Sequence, residues 1–370
     1  MQVRVIGGGV VGLATALELS RSGAEVTVHA ATPAARPASW AAAGLLMPIP
    51  PWALPAPLET LAEGCAAAYS GWVAELAEET GADLGWTRNG LVILRPDPEQ
   101  IAAASLWARR TRRSIEQVDA SRVAQLDAAV AAEDALWVAD CAQVRNPRLL
   151  KTLRAALDAR GVAVIEDAPV IRIAVEGEWL RGVVTAQGVC AAEIVVICAG
   201  AWSGTLGEGF PLPPVRPVRG QMLLYHLAEG APRRNVLGAG RYLVPRGDGH
   251  VLCGSTVEEV GFDDATTPEA AELLRQSAAG LAPVLAGLAP VRQWSGLRAG
   301  SPDGLPFIGA HPELAGLYFN TGQFRNGILL APGSARLLAD LVLGREPWLD
   351  PAPFRLAGRM GPTTSGDAQA

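Results

Sequence analysis

Residues 3–28 and a change of strand character near Val215 predict an α/β chain: a parallel-sheet domain interrupted by a mostly antiparallel α+β domain. The first stretch, VRVIGGGVVGLATALELSRSGAEVTV, reads strand, glycine turn, helix, strand. Beyond Val215 apolar and polar residues alternate, the pattern of a sheet with one exposed face. The 370 residues are enough for two or three domains with ample core.

The opening strand (Val3, Val5, Ile6) runs into Gly7, Gly8, Gly9 and Gly12. Gly7, Gly9 and Gly12 have the spacing G-x-G-x-x-G. The first glycine permits a tight turn, the second lets a pyrophosphate approach the backbone, and the third lets helix pack on strand. The helix carries Leu13, Ala16, Leu17 and Ser20 on one face and stops at Gly23. Its N-terminus offers unpaired N–H groups and partial positive charge to phosphates. With the strand of Val26 and Val28 this makes a Rossmann-like βαβ unit, and a dinucleotide is its predicted ligand. Such units place an acid about 20 residues on, against the ribose. Here that strand ends in His29, Ala30 and Ala31, so either His29, Thr32 or Arg36 holds the ribose or the ribose is held less tightly.

Next, Ser39 to Gly44 predict a short helix capped by Ser39. Residues 58–81 are amphipathic (Leu58, Leu61, Cys65, Tyr69, Trp72, Leu76) and close at Gly81. TRNGLVILRP predicts a strand after an Asn-Gly turn, and 99–131 predict helical pieces with a solvated charged face around WARRTRRSIEQ. VRNPRLLKTLRAALDARGV predicts a capped helix with Pro147 in its first turn, followed by a strand, VAVIED. EWLRGVVTAQGVCAAEIVVICAG predicts a strand, a turn and a long apolar strand that ends in a second glycine turn. VRGQMLLYHL and YLVPRGDGHVLCGST are the alternating strands, and a helix is predicted near 268–282. GLYFNTG is again a buried strand, ILLAPGSARLLADLVLG a last helix ending at Gly344, and RMGPTTSGDAQA a disordered tail. The domain division is 1–85, 141–214 and 296–358 for the nucleotide domain, 86–140 and 215–295 for the substrate domain, and 359–370 for the tail.

Composition excludes several classes. A net charge of −6 with a single lysine, Lys151, argues against nucleic acid. Apolar runs break well before 18 residues, so no membrane span is predicted. Met1 leads straight into a core strand, leaving no room for a signal peptide. Five cysteines without a C-x-x-C pair read as buried free thiols in a reducing cytoplasm. The four histidines lack metal-ligand spacing, and there is neither a G-x-S-x-G elbow nor a Walker lysine. Trp40, Trp52 and Trp294 read as core residues before pocket residues.

The segments GGGVVGLATALEL, SWAAAGLLMP, QVRNPRLLKTLRAAL, CAGAWSG, PVRGQMLLY, GLRAGSPDGLPFIG and GQFRNGILLAP resemble the D-amino-acid oxidase family of FAD-dependent oxidoreductases. Within it they are most similar to the bacterial glycine oxidase branch of thiamine biosynthesis. The resemblance runs in order from residue 3 to about 357. It implies a non-covalent FAD, extended through the first domain, with an amine substrate stacked on the flavin. It implies cofactor contacts at Gly7, Gly9, Val10, Val11 and Gly12, at Ser39, Ala43, Gly44 and Leu45, at Val170 and Gly200, and along Gln323, Phe324, Arg325, Asn326, Gly327, Ile328 and Leu329. The family's ribose-binding acid aligns with Ala30, and its histidine before Phe-Arg-Asn-Gly with Gln323. The resemblance also implies a homo-oligomer (dimer or tetramer) and a functional link to thiazole synthase.

An amino-acid oxidase must grip a carboxylate, and a planar guanidinium does so with both oxygens. By resemblance Arg298 is that clamp, Tyr242 donates to the same carboxylate, and Arg325 stands by flavin and substrate. Backbone N–H groups at Asn326 and Gly327 are the expected donors to charge on the flavin N1–C2=O edge. The implied reaction is oxidation of glycine, sarcosine or small D-amino acids, with O₂ reduced to peroxide. The imine then goes to thiazole synthesis or to glyoxylate and ammonia. An amino-acid dehydrogenase or secondary-amine oxidase, for instance on D-proline, is the second reading. A non-catalytic flavoprotein subunit is the third, supported by the missing acid and opposed by Arg298 and Tyr242.

Overall fold

Register fixes the first domain. In the computed structural model, which describes residues 1–31, 38–207 and 209–359, Gln2–Ile6 pairs in parallel with Glu25–His29 on one side and Ile194–Ile197 on the other. Leu317–Thr321 and Ala163–Ile165 extend the sheet in parallel, and Phe307–Ala310 closes one edge antiparallel. The helix Val10–Arg21 packs between this sheet and the helices Asn146–Ala159 and Gly327–Val342. That sandwich buries it nearly all round, from Val10 to Leu19, rather than along the one face its spacing predicts. The long helix is Ala56–Thr80, closed by Gly81 in the left-handed conformation as its sequence requires.

Eight strands form the second sheet. Their order is Arg292–Gly300, Arg216–His226, His250–Gly254, Arg241–Pro245, Asn235–Gly238, Leu91–Leu94, Ala135–Val138, Glu116–Val118. All neighbours are antiparallel except Asn235–Gly238 with Leu91–Leu94. The expected exposed face is absent among the described residues. The helix Pro268–Leu281 covers one side with Leu274, Ala278 and Leu281. Met47 and Trp107 pack on the other, against Met222, Tyr242 and Leu252. The strand Arg292–Gly300 stays in this sheet to its end, so Arg298 stands on it beside the strand Arg216–His226.

The stretch after Glu178 divides between two sheets. Trp179–Thr185 and Gly188–Ala191 pair with Arg172–Glu176 in a small antiparallel sheet, whereas Ile194–Ile197 joins the parallel one. Ile173 and Val183 of the small sheet pack on Ile6, Val195 and Ile197. The charged face around Arg110 and Arg113 is ion-paired rather than merely solvated. Arg110 binds Glu59 at 2.6 Å, and Arg113 binds Glu63 at 2.8 Å as well as Asp140. Arg359, counted with the disordered tail 359–370, is instead held by Asp303 at 2.6 Å and by the Leu305 and Pro306 carbonyls. The tail from 360 on lies outside the described residues, and no described helix is long and apolar enough to cross a membrane.

Cys65, Cys141, Cys198 and Cys253 are buried and free, and Cys190 is half-buried. Burial pushes the Cys65, Cys198 and Cys253 thiols up to about 12, and Cys141 up as well. Thiolate being the reactive form, a disulfide reagent at pH 8 is expected to label the native chain at Cys190 alone and the unfolded chain at all five. Native labelling at any of the other four, read by peptide mapping, would contradict this burial.

Candidate active site

A cavity of about 1080 Å³ runs between the two sheets, from the glycine turn to Arg298. That is the upper end of ligand-pocket size, ~300–1,000 Å³. At one end the glycines set the turn by close approach. A Cβ on Gly7 would stand 2.2 Å from the Cys198 carbonyl oxygen, and one on Gly12 2.0 Å from that of Gly7. Gly7, Gly9, Val10 and Val11 line the cavity, and Gly12 serves the packing of helix on strand. The N–H of Val10 donates to Ser39 Oγ at 3.0 Å. Ser39 thus caps the first helix from a distance instead of its own short helix, Ala38–Ala41.

The segment from Ser39 to Leu46 forms a strap across the cavity, and it is tied down at every step. Asn146 Nδ2 donates to the carbonyls of Ser39 (2.6 Å) and Trp40 (2.7 Å). Trp294 Nε1 donates to the Ala41 carbonyl at 3.0 Å, so this tryptophan braces the strap. Arg246 donates to the carbonyls of Ala43 (2.6 Å) and Val144 (3.2 Å) and to the Gln143 side chain. Burial, then the neighbouring Arg145, lowers the Arg246 pKa to about 10. Gly44 adopts φ +76°, where a Cβ would meet the Val144 carbonyl oxygen at 2.0 Å. Val144 N–H donates to Gly44 and Leu46 N–H to Ala142, so Ala43, Gly44 and Leu45 face the cavity from a fixed backbone.

At the other end stands Arg298. Its Nη1 donates to the carbonyls of Arg219 (3.2 Å) and Thr256 (3.1 Å), and its Nη2 to Ser255 Oγ at 2.7 Å. All three acceptors are neutral. Its Nε–H and remaining Nη2–H have no protein acceptor among the described residues. They form the side-on edge that matches a carboxylate. Burial, with Arg325 nearby, lowers its pKa against the opposite pull of Tyr242 and Glu258, and a guanidinium stays charged at neutral pH regardless. Gly220 makes room for it, since a Cβ there would lie 2.1 Å from Arg298 Nη2. Tyr242 lines the same end, its hydroxyl 3.5 Å from Met222 Sδ, and Gly254 leaves space for both. Arg325 is exposed and makes no ion pair or hydrogen bond among the described residues.

The loop Gln323–Asn326 joins the two ends. Phe324 has φ +48° and donates its N–H to the Ala299 carbonyl at 3.0 Å, next to Arg298. Gln323 is anchored at 2.7 Å to Asn320 in a buried network with Thr15 and Ser334. The Asn326 N–H is committed to the Gln323 carbonyl, which corrects its expected role as a donor. The last helix begins at Gly327 with no side-chain cap, leaving the N–H groups of Gly327, Ile328 and Leu329 without intrahelical partners. The side chain of Leu329 belongs to the core and does not line the cavity.

Val170 and Gly200 line the cavity as expected. Lys151, Arg154 and Glu166 also reach its wall, the last two paired at 2.6 Å. Sequence spacing gave no sign of them beyond the amphipathic face of the helix Asn146–Ala159. Thr32 and Arg36 lie outside the described residues, whereas His29 is described: it lines the cavity, and neither ring nitrogen has a partner among the described residues. An extended FAD fits this wall. The glycine turn and helix start suit the pyrophosphate, the strap and Gln323 loop suit the isoalloxazine, and an orphaned imidazole stands near the far end.

Residues 2–341 match the model of the family described as FAD dependent oxidoreductase. The chain is similar to the glycine oxidase of Pseudomonas aeruginosa, 42% identical over 97% of this chain and 99% of that protein. It is 33% identical, over 92% of its length, to 52% of a bifunctional protein ThiO/ThiG of Nostoc. Among solved structures, glycine oxidase from Geobacillus kaustophilus superposes with a TM-score of 0.89 at 31% identity, covering 97% of this chain and 99% of that one.

Replacing Asn146 by Ala removes two hydrogen bonds from the strap, worth about 1 kcal/mol each. FAD affinity of Asn146→Ala is expected to fall by roughly tenfold or more, measured by flavin-fluorescence quenching on titrating the apoprotein. An unchanged affinity would show that the strap does not hold the cofactor.

Proposed function

The chain belongs to the FAD dependent oxidoreductase family and is an FAD-dependent amino-acid oxidase, and from that premise we propose that its substrate is a small amino acid, glycine first, with sarcosine and small D-amino acids as neighbours. The observation that carries this reading is the Arg298 guanidinium, half-buried in the cavity wall with neutral partners and one donor edge left over. A carboxylate completes it. The Tyr242 hydroxyl donates to one of the same oxygens, and the carboxylate so held aims the α-carbon at the cofactor. Tyr242 and Met222 line the cavity beside Arg298, with the Tyr242 hydroxyl 3.5 Å from Met222 Sδ.

When bound, FAD would supply the redox chemistry, accepting two electrons and a hydrogen from the substrate α-carbon and passing the electrons to O₂, with hydrogen peroxide as the product. The protein contributes position and field. Gly327 and Ile328 offer N–H donors at a helix N-terminus for negative charge on the N1–C2=O edge. Among the described residues, the carboxylate and the imidazole on the cavity wall, those of Glu166 and His29, belong to the nucleotide end and not to the Arg298 end. The substrate ammonium therefore loses its proton to water before oxidation, with no described carboxylate or imidazole serving as base. The likeness to half of a ThiO/ThiG protein supports delivery of the imine product to thiazole formation. Free imine hydrolyses to glyoxylate and ammonia.

Arg298→Ala is expected to raise the KM for glycine steeply, by about 2–4 kcal/mol or roughly 30- to 1000-fold. Anaerobic mixing with glycine, sarcosine, D-alanine and D-proline should bleach the wild-type flavin fastest with the smallest substrates. An unchanged KM in the variant, or bleaching by D-proline alone, would overturn the assignment.

A further inference from the structure

At residue 30 the fingerprint carries no carboxylate. Ala30 is packed so closely that a Cβ on Gly8 would lie 2.8 Å from its own, so it presents only a methyl to the glycine turn. One residue earlier, on the opposite face of the same strand, stands His29. It pairs in register with Ile6 and Ile165, sharing the sheet face of Ile6, and with Ile6 and Val170 it borders the cavity. Its exposure is 2%, and both Nδ1 and Nε2 lack a hydrogen-bond partner among the described residues. A buried imidazole in that state is costly, because each unmade bond leaves a desolvated polar atom. Burial, and then the charge of Arg4, lower its pKa, so the ring is neutral and carries one N–H donor and one lone-pair acceptor. Glu166, the carboxylate among the described residues of that wall, is engaged by Arg154.

Donor and acceptor together describe what a ribose diol needs, since each hydroxyl both gives and takes a hydrogen bond. We propose that His29 hydrogen-bonds the ribose of the FAD adenosine, in place of the carboxylate that Ala30 lacks. The proposal rests on the chain binding FAD. It makes the ribose contact neutral where the fingerprint is ordinarily anionic, and it gives the orphaned ring its partner.

The test uses apoprotein, FAD, and the competitors ADP and 2′-deoxy-ADP, read by flavin-fluorescence quenching. Wild type is expected to bind ADP about tenfold more tightly than 2′-deoxy-ADP. His29→Leu should bind FAD about tenfold more weakly and lose that discrimination. Freed of an unpaired buried ring, the His29→Leu apoprotein should melt no lower than wild type yet gain fewer degrees from saturating FAD. His29→Gln, which keeps a donor and an acceptor, should retain most of the affinity and serves if the leucine variant does not fold. Wild-type indifference to the 2′-hydroxyl, or discrimination that survives in His29→Leu, would overturn the proposal. Failure of wild type to bind FAD at all would instead sink the flavoenzyme assignment on which it stands.

Discussion

A guanidinium with no carboxylate bonded to it, that of Arg298, organises the substrate end of this protein. Two arginines, Arg219 and Arg298, stand on neighbouring strands of one sheet, and their surroundings differ in kind. Arg219 is saturated by carboxylates, Glu258 at 2.6 Å and Asp263 at 2.7 Å. Against burial, which pushes it up, hydrogen bonds from Thr256, Arg219 and Gln221 hold the Glu258 carboxyl below the usual range. That acid is ionised and committed. Arg298 receives only two carbonyls and a hydroxyl. Removing a charge from water without an opposite charge is expensive. The sheet sustains it because the packing around Gly220 leaves the guanidinium one place to go and one edge to offer. An anionic ligand is the missing half of that arrangement.

The cofactor end depends on a different device, a strap whose own sequence has little tendency to any regular structure. Its conformation is imposed from outside, by Asn146 and Arg246 on its carbonyls and by Trp294 from the substrate sheet. Gly296 lets the strap close down, since a Cβ there would lie 2.7 Å from that of Ala41. Residues that grip the substrate and residues that shape the cofactor bed therefore share the strand Arg292–Gly300. Phe324 tightens the same coupling by bonding to Ala299. Rigid elements carrying both halves of a site hold the reacting groups in fixed relation.

What the sequence disclosed followed from local periodicity. The βαβ unit, the long helix ending at Gly81 and the last helix before Gly344 were legible because capping and spacing are properties of neighbouring residues. The site was legible only where a motif brought its own geometry, as Gly7 to Gly12 do, or where a family likeness marked Arg298 and Tyr242. Ser39 escaped a local reading because it caps a helix 29 residues upstream. The alternating strands suggested an open face, yet Trp107 and Leu274 cover the two sides from distant segments. Gly220, Gly254 and Gly296 had no visible purpose until register set them against a guanidinium, a thioether and the strap. Lys151 and Glu166 reach the cavity through the packing of a helix on a sheet, which no spacing encodes.

The central claim is that Arg298 anchors a carboxylate beside a flavin seated on the strap. A crystal structure of the FAD-loaded protein with acetate, the carboxylate of glycine without its amine, tests it most directly. Acetate with one oxygen on Nε and the other on Nη2 of Arg298, within reach of the Tyr242 hydroxyl and stacked on the isoalloxazine, is the result expected. Acetate held by Arg325 while the Arg298 edge stays unengaged, or a flavin seated away from the strap, would contradict the account.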